Sequence, residues 1–223
     1  MSLRYTLLFP AFILLPTFRP VSFLAAQVAS LTKPDRITVR VYNYANLESY
    51  RLERTERRVS EILLKAGFEI DWLHCARCEA ERSQYPNCTS ELGPTDLILK
   101  IMPRIDMGKN GLKKEAFGLT AGRNIMISTE RLYDIAQNSE QTCDRILGLA
   151  VAHEIGHALL GRNSHSNQGI MCPRWNSNDL QLESRHSAGF TEEQIDRMHR
   201  NWIAAQDVER LGRTARTALN PEK

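Results

Sequence analysis

The stretch "HEIGHALLGRNSHSNQGIM", residues 153–171, places three histidines and one glutamate close together in the chain. His153 and His157 are four residues apart, so on an α-helix both imidazoles project from one face and can reach a single ion. Glu154 is rotated by about 100° from His153 around that helix, which places it beside the ion as a candidate base. The pattern predicts a catalytic metal site. Zn²⁺ is the expected ion, because imidazole ligands in a tetrahedral shell leave one position open for a water molecule.

The simpler alternative is an amphipathic helix whose histidines are ordinary surface or core residues. That alternative does not account for the neighbouring residues. Gly156 and Ala158 keep the helix slim beside the histidines, and Gly161 is a typical helix terminator. A polar loop then leads to His165, which we expect to be the third metal ligand.

This stretch resembles the zinc site of the metzincin clan of metallopeptidases, whose motif is HExxHxxGxxH followed by a Met-turn. The resemblance implies that His153 and His157 are helical zinc ligands and that Glu154 is the general base. It also implies that Met171, in the run Gly169–Met171, is the methionine of a Met-turn beneath the metal.

A looser similarity covers residues 31–205, which resemble small secreted bacterial zinc metalloproteases. These proteins share the "YNYA" strand, the "LGPTDLIL" segment and an ending of the form "HS…GIM…W".

The spacing of the motif departs from that of the clan, which has its glycine and third histidine seven and ten residues after the first histidine. Here Leu160 and Asn163 occupy those positions, and Gly161 and His165 lie eight and twelve residues after His153. We expect a slightly longer helix, a turn at the glycine and a loop that brings His165 to the metal. Other zincins use a downstream ligand, so further candidates stay open beside water: Asp179, Glu183 and His186.

The composition is that of one globular domain. The chain has 223 residues, 42% of them hydrophobic, and a net charge of +3 from 29 basic and 26 acidic residues. Because the two signs are interspersed, nothing points to a nucleic-acid partner.

Residues 1–29 have the plan of a removed secretory signal peptide: Arg4, an uncharged apolar run over 5–18, and small residues from Ala25 onward. The alternative is a membrane anchor, but the run is shorter than the ~17–25 residues that a spanning helix needs. We expect a single secreted or periplasmic domain, 30–223, that is monomeric and has no stable association with a membrane.

Periodicity predicts an α+β fold for that domain. The predicted elements are strands at 36–45, 68–73 and 96–103, one or two strands between 116 and 128 broken near Gly122, and helices at 48–67, 129–137, 142–160 and 191–206. The first three elements form a β-α-β unit, and a Thr191-x-x-Gln194 capping box opens the last helix, on which His199 is expected to face solvent. Together with these elements, the resemblance to metzincins implies a zincin-like twisted mixed sheet packed on the active-site helix, with a Met-turn and a C-terminal helix.

The resemblance also implies a sheet edge that pairs with an extended substrate. Ala116–Thr120 is the best candidate, although an interior strand is equally consistent with its sequence.

Five cysteines lie beyond the signal segment: Cys75, Cys78, Cys88, Cys143 and Cys172. Export makes disulfides plausible. We favour Cys75–Cys88, which would staple the loop 74–95 and is the pair that the resembling proteins keep. A zinc knuckle with His74, a Cys143–Cys172 bond and a metal-regulating Cys172 thiolate are the alternatives.

The predicted function is that of a secreted zinc-dependent endopeptidase, which hydrolyses peptide or protein substrates with a zinc-bound water activated by Glu154. The alternatives are a zinc-binding non-peptidase: a cell-wall amide hydrolase, or a metal-binding or interaction protein with low turnover.

Overall fold

The computed structural model describes residues 34–93, 95–106, 117–136, 143–161, 164–173 and 189–219. Within them, five strands form one sheet in the order β2-β1-β3-β5-β4. The strands are β1 (Asp35–Asn43), β2 (Phe68–His74), β3 (Asp96–Met102), β4 (Gly118–Ala121) and β5 (Asn124–Ser128). Neighbouring strands from β2 to β5 are parallel, and β4 is antiparallel to β5 at the edge of the sheet. The predicted mixed sheet, its β-α-β start and the break near Gly122 are confirmed.

Four α-helices accompany the sheet in the described residues: α1 (Ser49–Lys65), α2 (Thr129–Ala136), α3 (Cys143–Leu160) and α4 (Glu192–Leu219). The predicted α+β class is therefore confirmed. None of the helices in these parts of the chain combines the length and apolar character needed to cross a membrane. The predicted signal segment, residues 1–29, lies outside the described residues.

Helix α3 is the centre of the fold, because it contacts α1, α2, α4, β4 and β5. It is buried on nearly all sides rather than along the single face that the sequence suggested, since apolar residues occupy its whole circumference. Its end is well defined: Gly161 has a φ of +81°, which favours glycine. The side-chain amide of Asn201 donates to the Leu159 carbonyl at 2.9 Å, so α4 satisfies a carbonyl that the helix end leaves without a partner.

Helix α4 begins at the predicted capping box. The Thr191 amide donates to Gln194 Oε1 at 2.9 Å, and the Gln194 amide donates to Thr191 Oγ1 at 3.3 Å. The helix continues to Leu219, further than its pattern suggested.

The prediction that His199 faces solvent is wrong. Its ring stacks on Phe68 with a centroid distance of 4.5 Å. Nδ1 lies 3.0 Å from Asp35 Oδ2, and Nε2 lies 2.9 Å from the Ala66 carbonyl oxygen. His199 therefore attaches α4 to the start of β1 and β2.

The loop after β2 is cross-linked as predicted. A disulfide joins Cys75 and Cys88, with their Cα atoms 5.6 Å apart, so the zinc-knuckle alternative is excluded. On the chain-entropy model, closing such a loop stabilises the fold by about 3 kcal/mol. The Cys143–Cys172 alternative does not form.

Candidate metal centre

The side chains of His153, His157 and His165 converge, with one potential ligand atom from each lying within 4.8 Å of the others. His157 Nε2 is 3.1 Å from His153 Nε2 and 3.1 Å from His165 Nε2. Helix α3 contributes the first two rings at the predicted i, i+4 spacing, and the loop after Gly161 contributes the third.

The outward nitrogens of the two helical rings have partners that orient the rings. His153 Nδ1 lies 2.7 Å from the Ile170 carbonyl oxygen, and His157 Nδ1 lies 2.7 Å from Ser164 Oγ. Because a carbonyl oxygen only accepts, Nδ1 of His153 carries the hydrogen and its Nε2 presents a lone pair to the other rings. Such partners fix the tautomer of a metal-binding histidine.

The residues present fit a metal ion. His157 Nε2 lies close to the Nε2 atoms of both other histidines. In a neutral ring this nitrogen either donates one hydrogen or accepts one, so a hydrogen bond can account for only one of the two contacts. Two nitrogens bound to one tetrahedral zinc at about 2.0–2.1 Å are roughly 3.3 Å apart, close to the observed separations. Three imidazole nitrogens are a protein ligand set found in catalytic zinc sites, where water takes the fourth position.

Burial keeps these rings neutral and ready to bind a cation. Desolvation lowers the pKa of His153 to about 4. Desolvation, together with the neighbouring rings, lowers the pKa of His157 to about 3. Partial desolvation lowers the pKa of His165 as well, although its side chain is largely exposed. A neutral imidazole has one nitrogen with a lone pair, which is the form that binds a metal.

Glu154 lies next to the first histidine and is 6% exposed. Its Oε2 accepts a hydrogen bond from the Thr120 hydroxyl at 2.6 Å. Burial raises the pKa of Glu154 to about 7, although the bond from Thr120 opposes the shift. A carboxyl group that titrates near neutrality suits proton transfer, and a cation bound beside it would lower that pKa.

Met171 is fully buried beneath the histidine-bearing part of α3. A Cβ atom at Gly156 would lie 2.5 Å from the Met171 sulfur and 2.7 Å from Phe190 Cε1, so the glycine allows this close approach. The preceding Ile170 is the residue whose carbonyl contacts His153. The turn at 169–171 thus supports the helical half of the site from below.

The predicted third ligand, His165, is brought to the two helical histidines. The other candidates, Asp179, Glu183 and His186, and the alternative position Asn163 lie outside the described residues. Cys172 is not one of the side chains that converge here. Among the described residues β4 is the last strand of the sheet and lies beside α3, as expected for an edge strand at Ala116–Thr120, whereas pairing with a substrate stays a prediction.

Sequence reasoning missed Thr120 and Ser164, which contact Glu154 and His157. It also missed that Gln194 Nε2 donates to Ser166 Oγ at 3.0 Å, which holds the His165 loop against α4. Their residue types are ordinary for turns and strands, so the sequence carried no signal for these contacts.

No protein-family model matches the chain, and no curated protein matches it. Several solved structures are similar to it, two of which are described here. One is archaemetzincin from Methanopyrus kandleri, 18% identical, with 77% of this chain and 97% of that chain covered and a TM-score of 0.43. The other is a zinc-dependent peptidase from Methanocorpusculum labreanum, 15% identical, with 72% and 99% covered and a TM-score of 0.48.

Proposed function

We propose that the protein is an exported zinc-dependent endopeptidase. The observation that carries the proposal is the convergence of three imidazole nitrogens beside a buried carboxylate, at the edge of the sheet. His153, His157 and His165 would hold the ion, and Glu154 would be the general base. Export rests on the character of residues 1–29 alone.

Zinc, when bound, supplies a Lewis acid that polarises the scissile carbonyl and lowers the pKa of water from 15.7 to about 7. The residues of the chain supply the proton transfers. Glu154 would accept a proton from the attacking water and pass it to the departing amine, as its place next to His153 on α3 allows.

The free edge of β4 is the proposed binding site for the substrate backbone. The partner of β4 within the sheet is β5, so one side of β4 remains for an added strand in the described part of the chain. An extended peptide would add to that edge through main-chain hydrogen bonds, next to Glu154. This arrangement favours unfolded or loop segments of protein substrates.

The turn at 169–171 would act as a Met-turn. Its carbonyl at Ile170 orients His153, and its buried Met171 sulfur supports α3 at Gly156. In this proposal the turn is a rigid base for the histidines and takes no part in proton transfer.

The test measures zinc content and cleavage of an internally quenched peptide library by the purified protein. We expect one zinc per chain and a cleavage rate that falls by about 100-fold or more in Glu154→Gln, since general-base catalysis contributes roughly 10²–10⁴-fold. Glu193→Gln, an exposed change in the first turn of α4, is the matched control and should leave the rate unchanged.

Muropeptides are assayed in parallel. Cleavage of muropeptides without cleavage of peptides would replace the proposal with a cell-wall amide hydrolase. Bound zinc with no hydrolysis that depends on Glu154 would leave a metal-binding protein and contradict the enzymatic proposal.

A further inference from the structure

Edge strand β4 contacts Glu154 directly through one hydroxyl group. Thr120 Oγ1 lies 2.6 Å from Glu154 Oε2 and 3.0 Å from the Glu154 carbonyl oxygen. A hydroxyl has one hydrogen to donate, and the shorter contact is to the carboxylate oxygen. A bond of this length to an ionised carboxylate is among the stronger hydrogen bonds in proteins.

The neighbouring glycine shows how closely the strand approaches the glutamate. A Cβ atom at Gly118 would lie 3.0 Å from Glu154 Cγ and 2.7 Å from the Met126 carbonyl oxygen. Gly118 and Thr120 are two residues apart on β4, so both face the same side of the sheet. Gly118 has no side chain, which leaves space for Glu154, and the Thr120 hydroxyl donates a hydrogen bond to the Glu154 carboxylate.

The other carboxylate oxygen, Oε1, has no hydrogen bond to the parts of the chain that the structure describes. The two oxygens of a buried carboxylate are therefore distinguished by the strand: Oε2 is held and Oε1 is left for another partner. A long side chain such as glutamate has several rotamers, and a single strong bond at its tip selects among them.

We propose that Thr120 is a positioning residue for Glu154, and that it links the substrate-binding edge of β4 to the general base. This inference rests on the proposed function, which assigns those roles to Glu154 and to β4. Thr120 holds Oε2 so that Oε1 faces the attacking water. A peptide added to β4 then fixes the strand, its Thr120 hydroxyl and the carboxylate together, which aligns base and substrate in one step.

The experiment compares Thr120→Val, which keeps the branched shape and removes the hydroxyl, with Thr120→Ser, which keeps the hydroxyl. Thr38→Val, the same change on β1 with β3 and β5 between it and β4, is the control. We expect kcat on a cleaved quenched peptide to fall by about tenfold in Thr120→Val with KM changed by less than about twofold, because a misplaced base slows the chemistry and not the binding. Thr120→Ser and Thr38→Val should stay within about twofold of the wild-type kcat.

A second readout does not depend on activity: crystal structures of the zinc-loaded wild-type protein and of Thr120→Val. We expect the Glu154 carboxylate to keep its contact with residue 120 in the wild-type protein and to turn away in the variant. An unmoved carboxylate together with an unchanged kcat would overturn the inference. If the wild-type protein cleaves nothing in a manner that depends on Glu154, the proposed function fails, and the carboxylate position alone still decides whether Thr120 positions Glu154.

Discussion

The two halves of the metal centre are built in different ways. His153, Glu154 and His157 belong to one buried helix, α3, whose periodicity alone sets their relative positions. His165 belongs to the loop 164–171, which has no regular structure and is held by contacts to other elements. Ser164 meets His157, Ser166 meets Gln194, and the Ile170 amide donates to the Gly189 carbonyl at 3.0 Å. The geometry of the helical half therefore follows from residue spacing along α3, whereas the position of His165 depends on contacts with residues distant in the chain.

The largest expected effects on zinc affinity come from removing one histidine from each half, and the two variants should differ in the stability of the metal-free protein. His153→Ala should weaken zinc binding by about 1000-fold, because one ligand of three is lost from a site worth roughly 10 kcal/mol or more. It should also destabilise the metal-free protein by about 2–4 kcal/mol, since it leaves a cavity and an unpaired Ile170 carbonyl.

The loop variant His165→Ala should weaken zinc binding by about 100-fold or more. It should change the metal-free stability by less than about 0.5 kcal/mol, because the side chain is exposed. Zinc titration and urea unfolding with a chelator measure both effects, with His74→Ala as a control that leaves zinc affinity intact. Equal destabilisation by the two histidine variants would remove the distinction between the halves.

The contact between the halves is tested by filling the space at Gly156. In Gly156→Ala the new methyl group would lie 2.5 Å from the Met171 sulfur, and we expect a loss of about 1–3 kcal/mol from overpacking. Gly148→Ala on the same helix meets Arg58 Cβ at 3.0 Å, a less severe contact, and should be nearly neutral. Thermal unfolding measures both variants. A stabilised Gly156→Ala would mean that the turn at 169–171 does not press against α3.

Ser164 tests how the loop orients a helical ligand. Ser164→Ala removes the partner of His157 Nδ1 and should weaken zinc binding by about tenfold, at the lower end of the effect of outer hydrogen bonds on metal sites. Competition with a fluorescent chelator gives the affinity. An unchanged affinity would show that helix geometry alone orients His157.

The smallest expected effect on zinc affinity is that of Gln194→Ala, which is compared with Thr191→Ala in the same capping box. Gln194→Ala and Thr191→Ala both break the capping box and should each cost about 1 kcal/mol of stability. Gln194 alone of the two also holds Ser166, so its variant should weaken zinc binding by a further factor of about three to five. Zinc affinities that fall equally in both variants would show that the helix start, and not the Ser166 contact, supports the loop.

Much of the fold followed from short-range pattern. The strands, α1 and α3 were predicted because burial imposes periods of 2 and 3.6 residues on the chain. The extent of α4 and the role of His199 were not predicted. His199 contacts Asp35 and Ala66, which lie 164 and 133 residues away in the chain. No local pattern encodes such a contact.

The features of the site also divide into those that residue spacing predicted and those that depend on contacts between distant parts of the chain. The placement of His153, Glu154 and His157 along one helix was predicted from their spacing. The approach of His165 to the two helical histidines was predicted despite its shifted position, because a loop residue is free of helical spacing. Thr120 lies 34 residues from Glu154, and Gln194 lies 28 residues from Ser166, so their contacts appear only once the chain is folded.

The central claim is that these three histidines, from two differently built halves, hold one zinc ion. The most direct test is a crystal structure of the zinc-soaked protein with anomalous data collected at the zinc edge. We expect one anomalous peak at about 2.0–2.1 Å from Nε2 of each of His153, His157 and His165. A peak bound to the helical pair while His165 lies beyond about 4 Å, or a peak completed by Asp179, Glu183 or His186, would contradict the account.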